Sequence, residues 1–248
     1  MFKKIVITVL SVFGAINAFA GELGVYDPNL PIEWASIITV SGGPSWSAPG
    51  KDQYLHPFPP PMNEHFIADT STVILGTGEI YFGLQRLVSP TVIGQFGINV
   101  AGASDVDLSG VIDVNGVPAV NAYTYKVSHA RVELKGKLIA AACRYVQPYL
   151  SGSAGVGFNH SHDYIPTTIN AVLYPPSWFD TNSNVSFTYT LGAGAQKMIT
   201  RNWQVGVGYE FADWGKNFLG GDDNLLNTGP GSPHLYTQTL LFSVGYLF

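Results

Sequence analysis

The final nine residues, Leu240-Leu241-Phe242-Ser243-Val244-Gly245-Tyr246-Leu247-Phe248, constrain the fold of this chain more than any other stretch. Leu240, Phe242, Val244, Tyr246 and Phe248 fall on alternate positions. A strand sends alternate residues to one face, so these side chains form one continuous apolar, aromatic face. Two folds accommodate such a face. An edge strand of a secreted β-sandwich buries it. A closed membrane barrel turns it to lipid, with the last strand pairing to the first.

The other end of the chain bears on that choice. Lys3 and Lys4 give a positive n-region, Ile5 to Ile16 an apolar h-region, and Ala18-Phe19-Ala20 an A-x-A cleavage site. Residues 1–20 are therefore expected to be a signal peptide cleaved after Ala20. Residues 21–33 are expected to be a short periplasmic segment, and 34–248 the barrel domain. The apolar stretch falls short of the ~20 residues a spanning helix needs, and Asn17 interrupts its end. No later stretch is long and apolar enough either, so strands must hold the chain in any membrane.

Charged residues make up 12% of the chain, about half the usual ~25%. Aromatics make up 13% and there are 28 Gly, which suits a sheet whose outer face meets lipid. The net charge of −5 gives no basic footprint, so a nucleic-acid partner is not expected. Cys143 is the single cysteine and excludes an intramolecular disulfide. A closed hydrogen-bonded barrel supplies stability without one.

Period-two alternation marks eight segments, at roughly 34–42, 76–87, 91–101, 123–138, 145–158, 186–197, 202–211 and 235–248. Each is close to the ~9–11 residues a tilted membrane strand needs. The connections at 88–90, 139–144 and 198–201 are short. Those at 43–75, 102–122, 159–185 and 212–234 are long. Short and long alternate strictly, as in barrels with short periplasmic turns and long extracellular loops. A sandwich has no reason to gather its long loops at one end. The fold expected is all-β: an eight-stranded antiparallel up-and-down transmembrane barrel with four long extracellular loops. A barrel of that size is filled by its own side chains, which argues against a general diffusion pore.

The fourth segment sends His129, Arg131, Glu133, Lys135 and Lys137 inward. Buried charges must be paired or reach water. Glu79 and Glu210 share the inward parity, and counting from the short turns puts them at about the height of Arg131. A luminal network of Glu79, His129, Arg131, Glu133 and Glu210 is expected, with Arg131 paired to the three carboxylates. It would plug the lumen; a gated ion path is the other reading.

Asn159-His160-Ser161-His162-Asp163 brings two His to one strand face, which one zinc would accept. No third ligand is evident nearby, and the segment reads as solvated loop. Gly220-Gly221-Asp222-Asp223-Asn224 and Asp105-Val106-Asp107 lack calcium-loop spacing and read as turns. No metal or cofactor is expected. Ser128, His160 and His162 have outward parity near the outer rim, where a lipid-modifying barrel enzyme would carry its groups. No motif links them, and no catalytic residue is assigned. Loop one carries His56-Pro57-Phe58-Pro59-Pro60-Pro61 and loop three Tyr174-Pro175-Pro176-Ser177-Trp178-Phe179. Pro stiffens such loops and aromatics give contact area at low entropic cost. They suit binding a host or surface ligand, or packing over the barrel mouth; both readings stand at this point.

The Phe248 ending, the eight alternating segments, and the Gly-spaced aromatic stretches 146–152 and 206–211 resemble the small outer-membrane β-barrels. That family includes the OmpA transmembrane domain, OmpX and the opacity-type surface antigens. The resemblance covers Trp34 to Phe248. It implies a monomer in the outer membrane of a Gram-negative bacterium, surrounded by outer-membrane lipid, with its loops on the cell surface. It also implies that Leu240, Phe242, Val244, Tyr246 and Phe248 are the signal read by the barrel-assembly machinery. The roles it implies are structural or adhesive. A lipid-modifying enzyme and a narrow solute path are the alternatives. Unlike full-length OmpA, the chain shows no peptidoglycan-binding domain, so cell-wall anchoring is not expected.

Overall fold

The computed structural model describes residues 34–48, 50–56, 63–141, 145–170, 176–222 and 226–248. The expected signal peptide, the 21–33 segment, Cys143, residues 57–61 of the Pro-rich stretch, Tyr174, Pro175, Asp223 and Asn224 lie outside the described residues.

Twelve strands follow one another: β1 (Ala35–Ser47), β2 (Gln53–Leu55), β3 (Glu64–Ala68), β4 (Val73–Ser89), β5 (Val92–Val114), β6 (Val117–Ala140), β7 (Gln147–Thr168), β8 (Asn182–Met198), β9 (Trp203–Asp213), β10 (Asn217–Asp222), β11 (Leu226–Ser232) and β12 (Tyr236–Leu247). Eight of them, β1, β4 to β9 and β12, form a closed antiparallel ring. The ring shuts where β12 meets β1, in a register running from Ile37 opposite Leu247 to Ser47 opposite Thr237. Past that ladder, Ser36 and Phe248 exchange two backbone bonds of 3.0 Å each. Closure leaves no edge in the spanning region, so every strand can satisfy its backbone within the sheet.

Alternation then sorts the side chains. Val40, Phe82, Ile98, Leu134, Leu150, Leu191, Val207 and Phe242 face outward and are exposed. Such a belt around a closed ring is lipid-facing surface, and the barrel crosses the membrane with it. Rings mark both borders. At the short-turn end Tyr246 meets Trp203 edge-on at 5.0 Å and lies 6.3 Å from Phe248. At the other end Tyr189, Phe211, Tyr236 and His234 follow one another at 6.4, 5.6 and 5.6 Å.

The long-loop end differs from expectation. Residues 102–122 are not a loop. β5 and β6 run on as one hairpin to a two-residue turn at Asn115-Gly116. Both turn residues have positive φ, 49° and 81°. That is the turn whose twist matches flanking strands, and Gly takes its second position without strain. β7 likewise continues to Thr168. The His160 segment is therefore strand rather than loop. In the first long connection, β3 takes up the edge of β5 above β4, from Glu64 opposite Val114 to Ala68 opposite Gly110. In the last, β10 and β11 form a small hairpin.

These pieces share an apolar core outside the membrane belt, built from Phe66, Val106, Leu108, Ile112, Val114, Tyr123, Tyr164, Phe179 and Leu219. Phe66 meets Tyr123 and Phe179 at 5.3 and 5.9 Å, and Tyr164 meets Phe179 edge-on at 5.2 Å. The outer segments thus form a packed cap. Apolar burial of this kind holds connecting chain in one conformation, as in a soluble core.

Candidate functional site

The lumen and the cap are the two places where this fold gathers chemistry. In the lumen, β6 supplies a column of inward side chains two residues apart: His129, Arg131, Glu133 and Lys135, all buried. Glu79 comes from β4, Asn99 from β5, Thr188 from β8 and Glu210 from β9, each also buried.

Arg131 Nη2 donates to Glu210 Oε1 at 2.6 Å, and its Nε lies 3.1 Å from Glu133 Oε2. Lys135 Nζ donates to both Glu79 oxygens, at 2.9 and 2.8 Å, and to Glu210 Oε2 at 2.9 Å. Glu210 therefore bridges the two cations. Asn99 Nδ2 donates to Glu79 Oε2 at 3.0 Å, and Thr188 Oγ1 to Glu133 Oε1 at 3.2 Å. Charged hydrogen bonds of this length offset much of the desolvation that burial imposes.

The geometry corrects the expected pairing in two respects. Glu79 is held by Lys135 and Asn99, with Arg131 on Glu133 and Glu210. His129 stands outside the ion pairs, its Nδ1 2.7 Å from Asn159 Oδ1. Lys135, Asn99 and Thr188 complete the network. Lys135 had a readable signal, since it shares the parity of Arg131 and Glu133 one step further down β6.

The outward end of the lumen is stoppered. Trp214, in the connection between β9 and β10, lies with its ring 4.2 Å from the Arg131 guanidinium carbon. Its Nε1 donates to Thr237 Oγ1 at 2.8 Å. Asn159 Nδ2 donates to the carbonyls of Trp214 and Lys216 at 2.7 and 2.8 Å. Gly215 turns the chain there with φ +80°, and a Cβ on it would collide with Ser186. The side chain that Asn159 turns inward therefore ties the inserted Trp to the wall.

Toward the short-turn end, Lys137 lies 3.8 Å from the Tyr149 ring centre and donates to Gln196 Oε1 at 2.6 Å. Gln196 Nε2 donates onward to Gln204 at 3.1 Å, and Gln95 to Gln85 at 2.6 Å. A cavity of about 40 Å³ remains beside Glu79, Lys135 and Tyr149. That volume suits a few waters and nothing larger.

Around the cap, Glu64 is buried and accepts a 2.9 Å bond from Ser177 Oγ. Burial lifts its carboxyl above the ordinary carboxylate range; the Ser177 bond works against that shift and nearby Asp222 adds to it. At the tip, Asn115 and Asn63 exchange bonds of 2.9 Å each, which fasten the hairpin turn to the chain entering β3. Phe179 of the aromatic third connection is buried in the cap core, whereas Trp178 beside it is exposed. Packing and display are both present in one stretch.

Ser128 lies directly opposite His160 in the register of β6 and β7. Among the described residues no hydrogen bond joins Ser128 to His160 or His162. His160 Nδ1 instead lies 2.9 Å from Ser183 Oγ, and His162 Nδ1 lies 3.2 Å from Asp163 Oδ2. The carboxylate thus orients one imidazole and the hydroxyl the other.

No protein-family model matches the chain, and no curated protein matches it in sequence. Solved structures do. Neisserial surface protein A is 10% identical, over 86% of this chain and 97% of that one, with a TM-score of 0.43. Ail, the attachment invasion locus protein of Yersinia pestis, is 12% identical, over 88% and 100%, with a TM-score of 0.37. The outer membrane protein OprG of Pseudomonas aeruginosa is 13% identical, over 86% and 96%, with a TM-score of 0.40. Similarity at this level concerns architecture alone. The chain's own closed ring, lipid-facing belt and alternating short and long connections are those of an outer-membrane β-barrel.

Proposed function

We propose that this protein works through its outer cap, as a structural or adhesive surface protein, and that its lumen is a strut rather than a path. One observation carries the reading: the long connections are built into a packed β-structured cap with an apolar core of its own. Ordering long loops costs conformational entropy, and the core is what offsets it. A barrel needing only to span the membrane gains nothing from such a cap. A rigid surface, by contrast, binds a partner without paying to order itself at that moment.

The exposed aromatics fit the same role. Tyr54 and Trp178 keep 66% and 64% of their surface accessible on the cap. Tyr54 is held flat against His65, ring centres 4.0 Å apart and 3° from parallel. A ring fixed in place offers contact area at little entropic cost. The partner is then a host or neighbouring-cell surface molecule met by the outer loops. The barrel itself acts as a monomer in outer-membrane lipid, placed there by the assembly machinery.

The test is adhesion of cells displaying wild-type, Tyr54→Ala or Trp178→Ala protein to a panel of host-surface proteins. The reading expects binding to fall in the variants while the barrel keeps its heat-modifiable migration. Equal binding by all three proteins would remove the adhesive part of the proposal.

A further inference from the structure

On the outer flank of the barrel, His160 and His162 stand on β7 two residues apart, with Ser161 between them buried and turned inward. Their rings are stacked, centres 5.2 Å apart and 24° from parallel. They lie just beyond the lipid-facing Phe158, where the belt gives way to polar surface. His160 is exposed and the His162 side chain is a fifth exposed.

Each ring is anchored through Nδ1. The Asp163 carboxylate lies 3.2 Å from Nδ1 of His162, and Ser183 Oγ lies 2.9 Å from Nδ1 of His160. The anchors follow from local structure. His160 is directly opposite Ser183 on β8. Asp163 has φ 54°, at a register shift where β7 carries an extra residue past β6. That bulge sets the Asp163 carboxylate against the preceding ring. The Asp163 carboxylate only accepts, so His162 holds its proton on Nδ1 and its lone pair on Nε2; the Ser183 hydroxyl both donates and accepts, so His160 has two tautomers open to it, one of which also leaves the lone pair on Nε2. A carboxylate behind a ligating His is the arrangement that fixes the tautomer and raises ligand basicity at metal sites.

We propose that His160 and His162 form a surface site for one divalent transition ion of the imidazole-preferring kind, Cu²⁺ above Zn²⁺ or Ni²⁺, bound through both Nε2 atoms. Among the described residues no three His, Cys, Asp or Glu side chains are gathered to hold a metal. The protein therefore supplies two ligands and water the remainder. A tetragonal Cu²⁺ ion suits such a set, and it heads the affinity order of divalent ions at nitrogen sites. Metal–nitrogen bonds are about 2.0–2.1 Å, so a small tilt of the stacked rings brings both Nε2 atoms onto one ion. Lys126 is the neighbour opposite His162. It is also opposite Asp107 across β5. The site is open and exchangeable, and it does not depend on the adhesive reading above.

The test uses the full barrel refolded in detergent and titrated with Cu²⁺, read by electron paramagnetic resonance. Wild type is expected to bind one ion with the splitting of two nitrogens. His160→Ala and His162→Ala should each reduce the signal to one nitrogen and weaken binding at least about 10-fold. Asp163→Asn should keep two nitrogens and weaken binding by about 10-fold, the effect of removing such a supporting carboxylate. His234→Ala, remote from the pair, should behave as wild type. Heat-modifiable migration confirms that each variant is folded. A one-nitrogen spectrum in wild type, or a two-nitrogen spectrum that survives either His substitution, would overturn the proposal.

Discussion

Arg131 and Glu210 are 79 positions apart in the chain, and their side chains meet inside the barrel at 2.6 Å. Neither partner reaches solvent. The contact joins β6 to β9 across the lumen, and Lys135 doubles it by donating to the second Glu210 oxygen at 2.9 Å. A cross-lumen bond of this sort resists flattening of the ring in a way no neighbouring-strand pair does.

Its loss should therefore be costly. Arg131→Ala leaves Glu133 without a cation, leaves Glu210 with Lys135 alone, and takes away the cation under Trp214. Breaking a buried pair from one side costs about 3–5 kcal/mol. The expected result is a fall of that size in unfolding free energy in denaturant. A cost below about 1 kcal/mol would mean that water compensates the carboxylates. A large rise in single-channel conductance would favour the path reading of the lumen.

Phe248 extends the ladder that closes the ring by one further pair. Phe248 exchanges two backbone bonds with Ser36, and its ring lies 6.5 Å from that of Phe82. Deleting Phe248 removes the closing bond pair together with the terminal aromatic. Membrane insertion should slow and unfolded protein should collect in the periplasm, as followed by surface labelling and heat-modifiable migration. Wild-type amounts of folded surface protein would contradict the assigned role of the ending.

Cap stability should depend on pH through Glu64. Burial raises its folded pKa above the ordinary 4.5. As pH climbs past 4.5, the unfolded carboxyl loses its proton first while the folded one keeps it. The folded cap then binds more protons than the open one, so its stability falls until pH passes the folded value. Limited proteolysis of the cap should accelerate over that window in wild type. In Glu64→Gln the same rise should be absent. A rise of equal size in the variant would assign the effect to another group.

The strand number, the ring order and the inward parity of the β6 charges were legible because period two survives in every spanning segment. The cap was not. A membrane strand needs to reach only about Gly102, yet the alternation Val106, Leu108, Ile112, Val114 continues the strand beyond it. Its sequence signal is Asn115-Gly116, a turn pair between two apolar runs. Glu79 meets Lys135 rather than Arg131 for a geometric reason. Glu79, Ala101 and Arg131 do lie on one register line. Register lines climb around a sheared barrel, and long side chains lean along their strands, so equal counts from the turns are not equal heights. Lys135, four residues further down β6, is the side chain that arrives. The pairing of His160 with Ser183 had no sequence signal, since it depends on the register between β7 and β8.

The turn at Asn115-Gly116 gives a selective probe of the cap. Gly116 has φ +81°, a conformation that β-branched residues avoid. Gly116→Val should strain the hairpin tip by about 1–3 kcal/mol. Hydrogen exchange should quicken at residues 106–125 and leave the spanning strands unchanged. Uniform loss of protection through the whole barrel would mean that cap and ring unfold as one unit.

The most direct test of the account cuts the β5–β6 hairpin short, joining Ala103 to His129, which are paired across the two strands, through a two-residue Asn-Gly turn, and measures binding of displaying cells to host-surface proteins beside wild type. The account predicts a folded, heat-modifiable barrel that no longer binds, because the ring closes through its own strands and the cap carries the interaction. Undiminished binding by the shortened barrel would contradict it, most plainly if Ser128→Ala or His160→Ala in the intact protein then abolished an activity on lipid.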